Sequence, residues 1–230
     1  RDTISLELEK VKQFVESEEI EDAFKKGIAI AQQINPSVRI ESFPIYLISA
    51  GRVTDARAMY GGIVLNLSNL VNKPLTQEQM IERIESMTAH ETVHRFIRQL
   101  GLKPEKNEDI DESLLHTIWE EGLATTIETV HHPLHEDMVN DSKFWIQSIK
   151  DWMNAKGNNQ ERERILHDCY QRDSYRKWLD KKRKRFDKLS SDMRSNEEKF
   201  RELLTNSNGP AYHVGFVLWK RELERGKNIT

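Results

Sequence analysis

The sequence predicts an α+β fold that is mostly helical, with one small sheet ahead of a long helix. Two observations carry the prediction. Apolar residues recur at spacings of three and four along most of the chain, the mark of helices with one buried face. One stretch alone, Val38 to Ser68, is rich instead in β-branched and aromatic residues. At 230 residues the chain is long enough for one large domain or two lobes. Hydrophobic residues make up 37% and charged residues 32%, enough for a core if the helices carry broad solvated faces.

Taken in order, residues 3 to 35 read as one or two helices. Ile4, Leu8, Val11 and Val15 form a first stripe; Ile20, Phe24 and Ile28 continue it in a shifted register, and Pro36 ends it. Val38 to Ala50 reads as a strand, with Pro44 at a bulge or an edge. Gly51 to Asp55 reads as a turn, and Tyr60 to Ser68 as a second strand with Ile63, Leu65 and Leu67 on its buried face. Asn72-Lys73-Pro74 closes this part.

The next segment opens with Thr76 and Gln79 at capping-box spacing. Ile84, Met87, His90, His94 and Ile97 then share a helical face, widened by Ala89, Val93, Phe96 and Leu100, and Gly101 suits the position just past the helix. A polar connection from Lys103 to Asp111 leads to a helix with Leu114, Ile118, Glu121 and Thr125 on one face. His131-His132-Pro133 stops it. Helical spacing resumes to about Leu204, with Trp145, Ile149 and Trp152 at its centre and a break at Gly157-Asn158-Asn159. After the loop Asn206–Pro210, a last helix starts near Ala211.

Within the long helix lies His90-Glu91-Thr92-Val93-His94. Residues four apart on a helix sit on one face, about 5.4 Å apart along the axis. Two imidazoles so placed can share one Zn²⁺ at about 2.0–2.1 Å. Glu91 flanks the pair, where a carboxylate can take a proton from a metal-activated water. A third ligand is expected from Glu120-Glu121-Gly122-Leu123-Ala124. An acidic residue on an inward face is costly without a compensating charge; Glu121, which shares a face with Leu114, Ile118 and Thr125, is one candidate and Glu120 its competitor. Glu120 falls instead with His116, Leu123 and Ile127.

His90-Glu91-x-x-His94 followed by Glu121-Gly122-Leu123-Ala124 resembles the gluzincin zinc metallopeptidases, most of all small bacterial families of zinc-dependent peptidases. Gly209-Pro210-Ala211-Tyr212-His213-Val214-Gly215 resembles the G-x-x-Y-x-x-G helix start of those families. The resemblance implies a zincin-like catalytic domain spanning 1–230. Its first lobe, about 1–102, would carry the sheet and the motif helix, and its helical second lobe about 103–230. It implies one Zn²⁺ per chain on His90, His94 and Glu121, with Glu91 as general base. Tyr212 or His213 would be the donor to the oxyanion, and a peptide or protein the substrate. It also implies that residues 58 to 63 edge the substrate cleft, with Gly61 and Gly62 letting a substrate backbone come close. The chain departs from the family at Thr125, where many gluzincins carry an acidic residue that supports a zinc-bound histidine. That support would have to come from Glu128 or a backbone carbonyl.

Other readings are narrower. A net charge of −3 gives no steer toward nucleic acid or membrane surfaces. The run Lys181-Lys182-Arg183-Lys184-Arg185 is balanced by Asp180, Asp187 and Asp192 and reads as a solvated helix face, so no nucleic-acid partner is expected. His131, His132 and His135 lack regular ligand geometry across Pro133. Cys169 is the only cysteine, so neither an internal disulfide nor a cysteine metal cluster can form. No segment reaches the ~20 apolar residues of a membrane span. The sequence begins at Arg1, which leaves room for a preceding leader, anchor or domain, and the compartment stays open. A non-catalytic binding or regulatory protein on the same fold is the competing reading. The intact Glu91 argues against it, because a purely structural site has no use for that base.

Overall fold

The computed structural model describes residues 12, 15–48, 56–59, 61–67, 75–102, 110–128, 136–182, 195–205 and 209–225. The fold is α+β and mostly helical, with a three-stranded mixed sheet. Two compact units divide the chain. The first comprises Arg1–Lys103, Ala124–His132 and Lys227–Thr230; the second comprises Pro104–Leu123 and Pro133–Gly226.

In the first unit, α1 (Glu18–Gln32) packs along α2 (Gln77–Gln99). Gly27 makes the approach possible: a methyl there would lie 2.5 Å from the carbonyl oxygen of Glu85. The sheet is built from β1 (Ile45–Ile48), β2 (Ala56–Met59) and β3 (Gly62–Asn66) in the order β1-β3-β2. β1 runs parallel to β3, and β2 antiparallel to it, so β2 is an edge. Ile63, Leu65 and Leu67 close against Ile20, Ala23, Ile84 and Met87 to form the core.

The strands differ from their expected bounds. Pro44 does not sit within a strand; it precedes β1, and its carbonyl accepts the amide of Ile63. That placement suits a residue with no amide proton to give a ladder. β2 replaces part of what reads as turn and connection. Ala-Arg-Ala-Met carries little β-propensity, and pairing with β3 imposes its extended form. Gly62 is packed by the chain itself, since a methyl there would meet the Pro44 carbonyl at 2.2 Å. Room for a substrate backbone is therefore absent at Gly62, whereas nothing lies within 4 Å of a methyl built on Gly61.

The second unit holds the first fourteen residues of α3 (Ile110–Ile127) together with α4 (Glu136–Asn140), α5 (Ser142–Asn154), α6 (Asn159–Gln171), α7 (Asp173–Lys182), α8 (Asn196–Thr205) and α9 (Pro210–Glu224). Leu114, Ile118, Trp145, Trp152, Phe200 and Val214 belong to its core. Trp152 and Phe200 stack at 3.9 Å with 9° between their planes. Asp111, Trp152 and Arg162 form one buried polar group within this unit. The Asp111 carboxylate accepts from Trp152 Nε1 at 2.9 Å and from the Arg162 guanidinium, which also reaches Glu197 at 2.8 Å. Gly157, at φ 82°, ends α5's connection as the sequence indicates. The helical spacing read from Gly157 on toward Leu204 has a further break: the helix stops at Arg172, in extended backbone between α6 and α7.

No helix among the described residues is long and apolar enough to cross a membrane. His131, His132, His135 and Arg183–Arg185 lie outside the described residues.

Candidate metal site

The site is built on α2. Thr76 caps its first turn, its hydroxyl accepting from Gln79 N at 3.2 Å while the Gln79 side chain accepts from Thr76 N at 3.0 Å. At the other end Gly101 takes φ 68°, a conformation that suits glycine. Its amide donates to Arg98 O, and that of Leu102 to Ile97 O, the paired bonds of a Schellman ending. A helix stopped at both ends holds one register, and that register decides where every motif side chain points.

Ser86, His90 and His94 fall four apart on one face. The Nε2 atoms of His90 and His94 face each other at 3.1 Å. Two nitrogens at 2.0–2.1 Å from a tetrahedral ion stand about 3.3 Å apart, so the pair is spaced for a shared metal. Glu121 on α3 completes the set: ligand-capable atoms of His90, His94 and Glu121 all lie within 4.8 Å of one another. Two imidazoles and a carboxylate are the donor chemistry of a zinc site with one position left open. Glu120 goes elsewhere, with its Oε2 3.5 Å from His116 Nδ1.

Other groups surround the motif. Glu128, seven residues after Glu121 and one past the end of α3, sets its Oε2 2.7 Å from His90 Nδ1. Ser86 Oγ donates to the Glu128 carbonyl at 3.3 Å. On the adjacent face of α2, the buried Glu91 accepts the amide of Ala58 on its Oε2. One turn on, Arg95 Nη1 donates to Met59 O at 3.0 Å, and the Arg95 guanidinium lies over the Phe43 ring at 5.2 Å. The two contacts tie the motif helix to the edge strand.

No protein-family model, curated protein or solved structure matches this chain.

Tyr212 and His213 stand in the first turn of α9, after Gly209 as N-cap and Pro210 at the first helical position. Tyr212 is half-buried against the core of the second unit. His213 is buried, and its Nδ1 lies 3.0 Å from the Gly209 carbonyl. With a carbonyl as partner, Nδ1 is the protonated nitrogen, which leaves Nε2 for any other role. Gly215 explains the glycine that closes this motif. A methyl on Gly215 would lie 2.3 Å from Ile118 O, and one on Gly122 would lie 2.3 Å from Gly215 Cα. The two glycines are where α3 and α9 cross.

The sequence reading passed over Arg95 and Ser86, and it named Ala58 only as part of a cleft edge, not as a partner of Glu91. Ala58 acts through its backbone, which no side-chain pattern displays. Arg95 and Ser86 were legible in principle, each four residues from a motif residue on the same helix.

Proposed function

We propose that this chain is a zinc-dependent metallopeptidase of gluzincin type, acting on a peptide or protein substrate. The observation that carries the reading is the convergence of His90, His94 and Glu121 on one point, with Glu91 next to the first histidine in sequence. Zn²⁺ in such a site supplies a water acidic enough to lose its proton near neutral pH and a pull on the carbonyl oxygen under attack.

The chain's own residues supply the rest. Glu91 takes the proton of the attacking water and passes it to the leaving amine. Ala58 N–H holds Oε2 of that carboxylate, so Oε1 is the oxygen that carries the proton. Tyr212 through its hydroxyl, or His213 through Nε2, donates to the oxyanion as it forms. β2, an edge strand tied to the motif helix by Ala58 and Arg95, offers an extended peptide a backbone to pair with.

The test is Glu91→Gln, which keeps the size of the side chain and removes its basicity. Zinc content by elemental analysis should stay at one per chain and the circular dichroism spectrum unchanged. Turnover of a peptide library should fall by ~10²–10⁴-fold. A variant that cleaves like the parent would falsify the mechanism. A zinc-loaded parent with no turnover on any peptide substrate points instead to the non-catalytic binding protein.

A further inference from the structure

We infer that Glu128 is the positioning residue that fixes the His90 imidazole for the metal, an assignment that rests on the zinc reading above. Glu128 is pinned to α2 at two points one turn apart. Its carbonyl accepts from Ser86, and its carboxylate reaches His90 Nδ1 at 2.7 Å. Only 1% of the Glu128 side chain and 12% of the His90 side chain is exposed. A carboxylate so far from water needs a donor close by, and a proton on His90 Nδ1 would supply it. The lone pair of neutral His90 is then on Nε2, the atom that faces His94 Nε2 at 3.1 Å. The spacing at the end of α3 makes this economical. Glu121 and Glu128 are seven residues apart, so the end of one helix presents both a ligand and the support of another ligand. Thr125, also buried, stands between them and has no charge to offer.

The assignment is read first without metal. In zinc-free protein at pH 8, long-range ¹⁵N correlation of the imidazoles should show His90 as the Nδ1–H tautomer. Glu128→Ala should give a mixture of tautomers, and Glu128→Gln, which keeps an acceptor, a smaller change. Zinc affinity, measured by competition with a chromophoric chelator, should fall ~10–100-fold in Glu128→Ala and by less in Glu128→Gln. The d–d bands of the Co²⁺-substituted protein should shift in both. Ser86→Ala removes the backbone tether alone and should leave tautomer and affinity as in the parent. If the parent binds zinc and Glu128→Ala matches it in affinity and tautomer, the assignment is overturned while the zinc reading stands. If the parent binds no zinc, the zinc reading falls, and the role inferred for Glu128 falls with it. Should Glu128→Ala not fold, Glu128→Gln decides: an unchanged tautomer with unchanged affinity overturns the assignment.

Discussion

The crossing of α3 and α9 at Gly122 and Gly215 can be tested by adding one methyl group. In Gly122→Ala the new carbon would sit 2.3 Å from Gly215 Cα, 2.4 Å from its carbonyl carbon and 2.8 Å from its oxygen. Carbon atoms pack at about 3.5–4.0 Å, so the helices must part by roughly 1.2 Å or more. Every obstructing atom is backbone, and no rotamer change relieves the overlap. Overpacking of this kind costs about 1–3 kcal/mol, here toward the upper end. Alanine returns up to ~1 kcal/mol as the better helix former. The net loss is about 2 kcal/mol, or ~4–8 °C in Tm for a chain of this length. Thermal unfolding followed by circular dichroism, together with a urea midpoint, reads it directly. Gly215→Ala should behave alike, because its methyl meets Ile118 O at 2.3 Å and Gly122 Cα at 2.5 Å. Once the helices have parted for one methyl, the second costs less, so the double variant should lose less than the sum. A Gly122→Ala protein as stable as its parent, or one gaining the full propensity increment, refutes the close crossing.

Four further outcomes follow from particular contacts. Glu121→Gln should release zinc to a chelator far more readily than the parent, since a neutral amide replaces a ligand carboxylate. Glu120→Gln, whose partner is His116, should hold zinc as the parent does; the reverse ranking would mean that the ligand face of α3 is misassigned. Asp111→Ala strips the buried Arg162 of one of its two carboxylates and Trp152 Nε1 of its acceptor, which should cost ~3–5 kcal/mol in urea unfolding. A loss under ~1 kcal/mol would show that the pair contributes little beyond a neutral contact. The Arg172 guanidinium beside Asp141 lowers that carboxyl's pKa below its ordinary 3.8, with burial working against the shift. A depressed folded-state pKa stabilises above the unfolded value and is lost as pH falls through the folded one. Asp141→Asn should therefore flatten the acid limb of the stability curve below about pH 4 and leave its slope near neutrality unchanged; an identical acid limb in the two proteins contradicts the pairing.

How much of this was legible in the sequence depends on where each signal is written. The long helix was, because its start and stop are local: Thr76 with Gln79, and Gly101, are decided by neighbours three or four residues away. So was the shared face of His90 and His94, four residues apart on that helix, since helical periodicity orders side chains without knowledge of tertiary contacts. β2 was not legible. Its four residues have no alternation, and their extended form comes from pairing with β3. The partner that packs against Gly122 was not legible either, because Gly215 lies 93 residues on, beyond the reach of any local pattern. Glu128 stood as one of two alternatives for supporting a histidine. Choosing between a carboxylate and a backbone carbonyl needs the distance to His90 Nδ1, which exists only in three dimensions.

The layout around α2 assigns different tasks to adjoining faces of one helix. Ser86, His90 and His94 lie at i, i+4 and i+8, and the first two meet Glu128, one residue past the end of α3. Glu91 and Arg95 are displaced from the histidines by one residue each, about 100° around the axis, and both bond the backbone of β2. The histidine face therefore carries two of the three groups that could hold a metal ion, and its neighbour bonds the edge strand β2. Because the two faces share a rigid backbone, displacement of β2 acts on Glu91 directly, through Ala58 N–H. Displacement of the end of α3 acts on His90, through Glu128. A motif of five residues can specify the angle between these faces, but not what stands against each of them. In this chain the first face meets a glutamate seven residues beyond the expected ligand, and the second meets a strand whose sequence does not announce it.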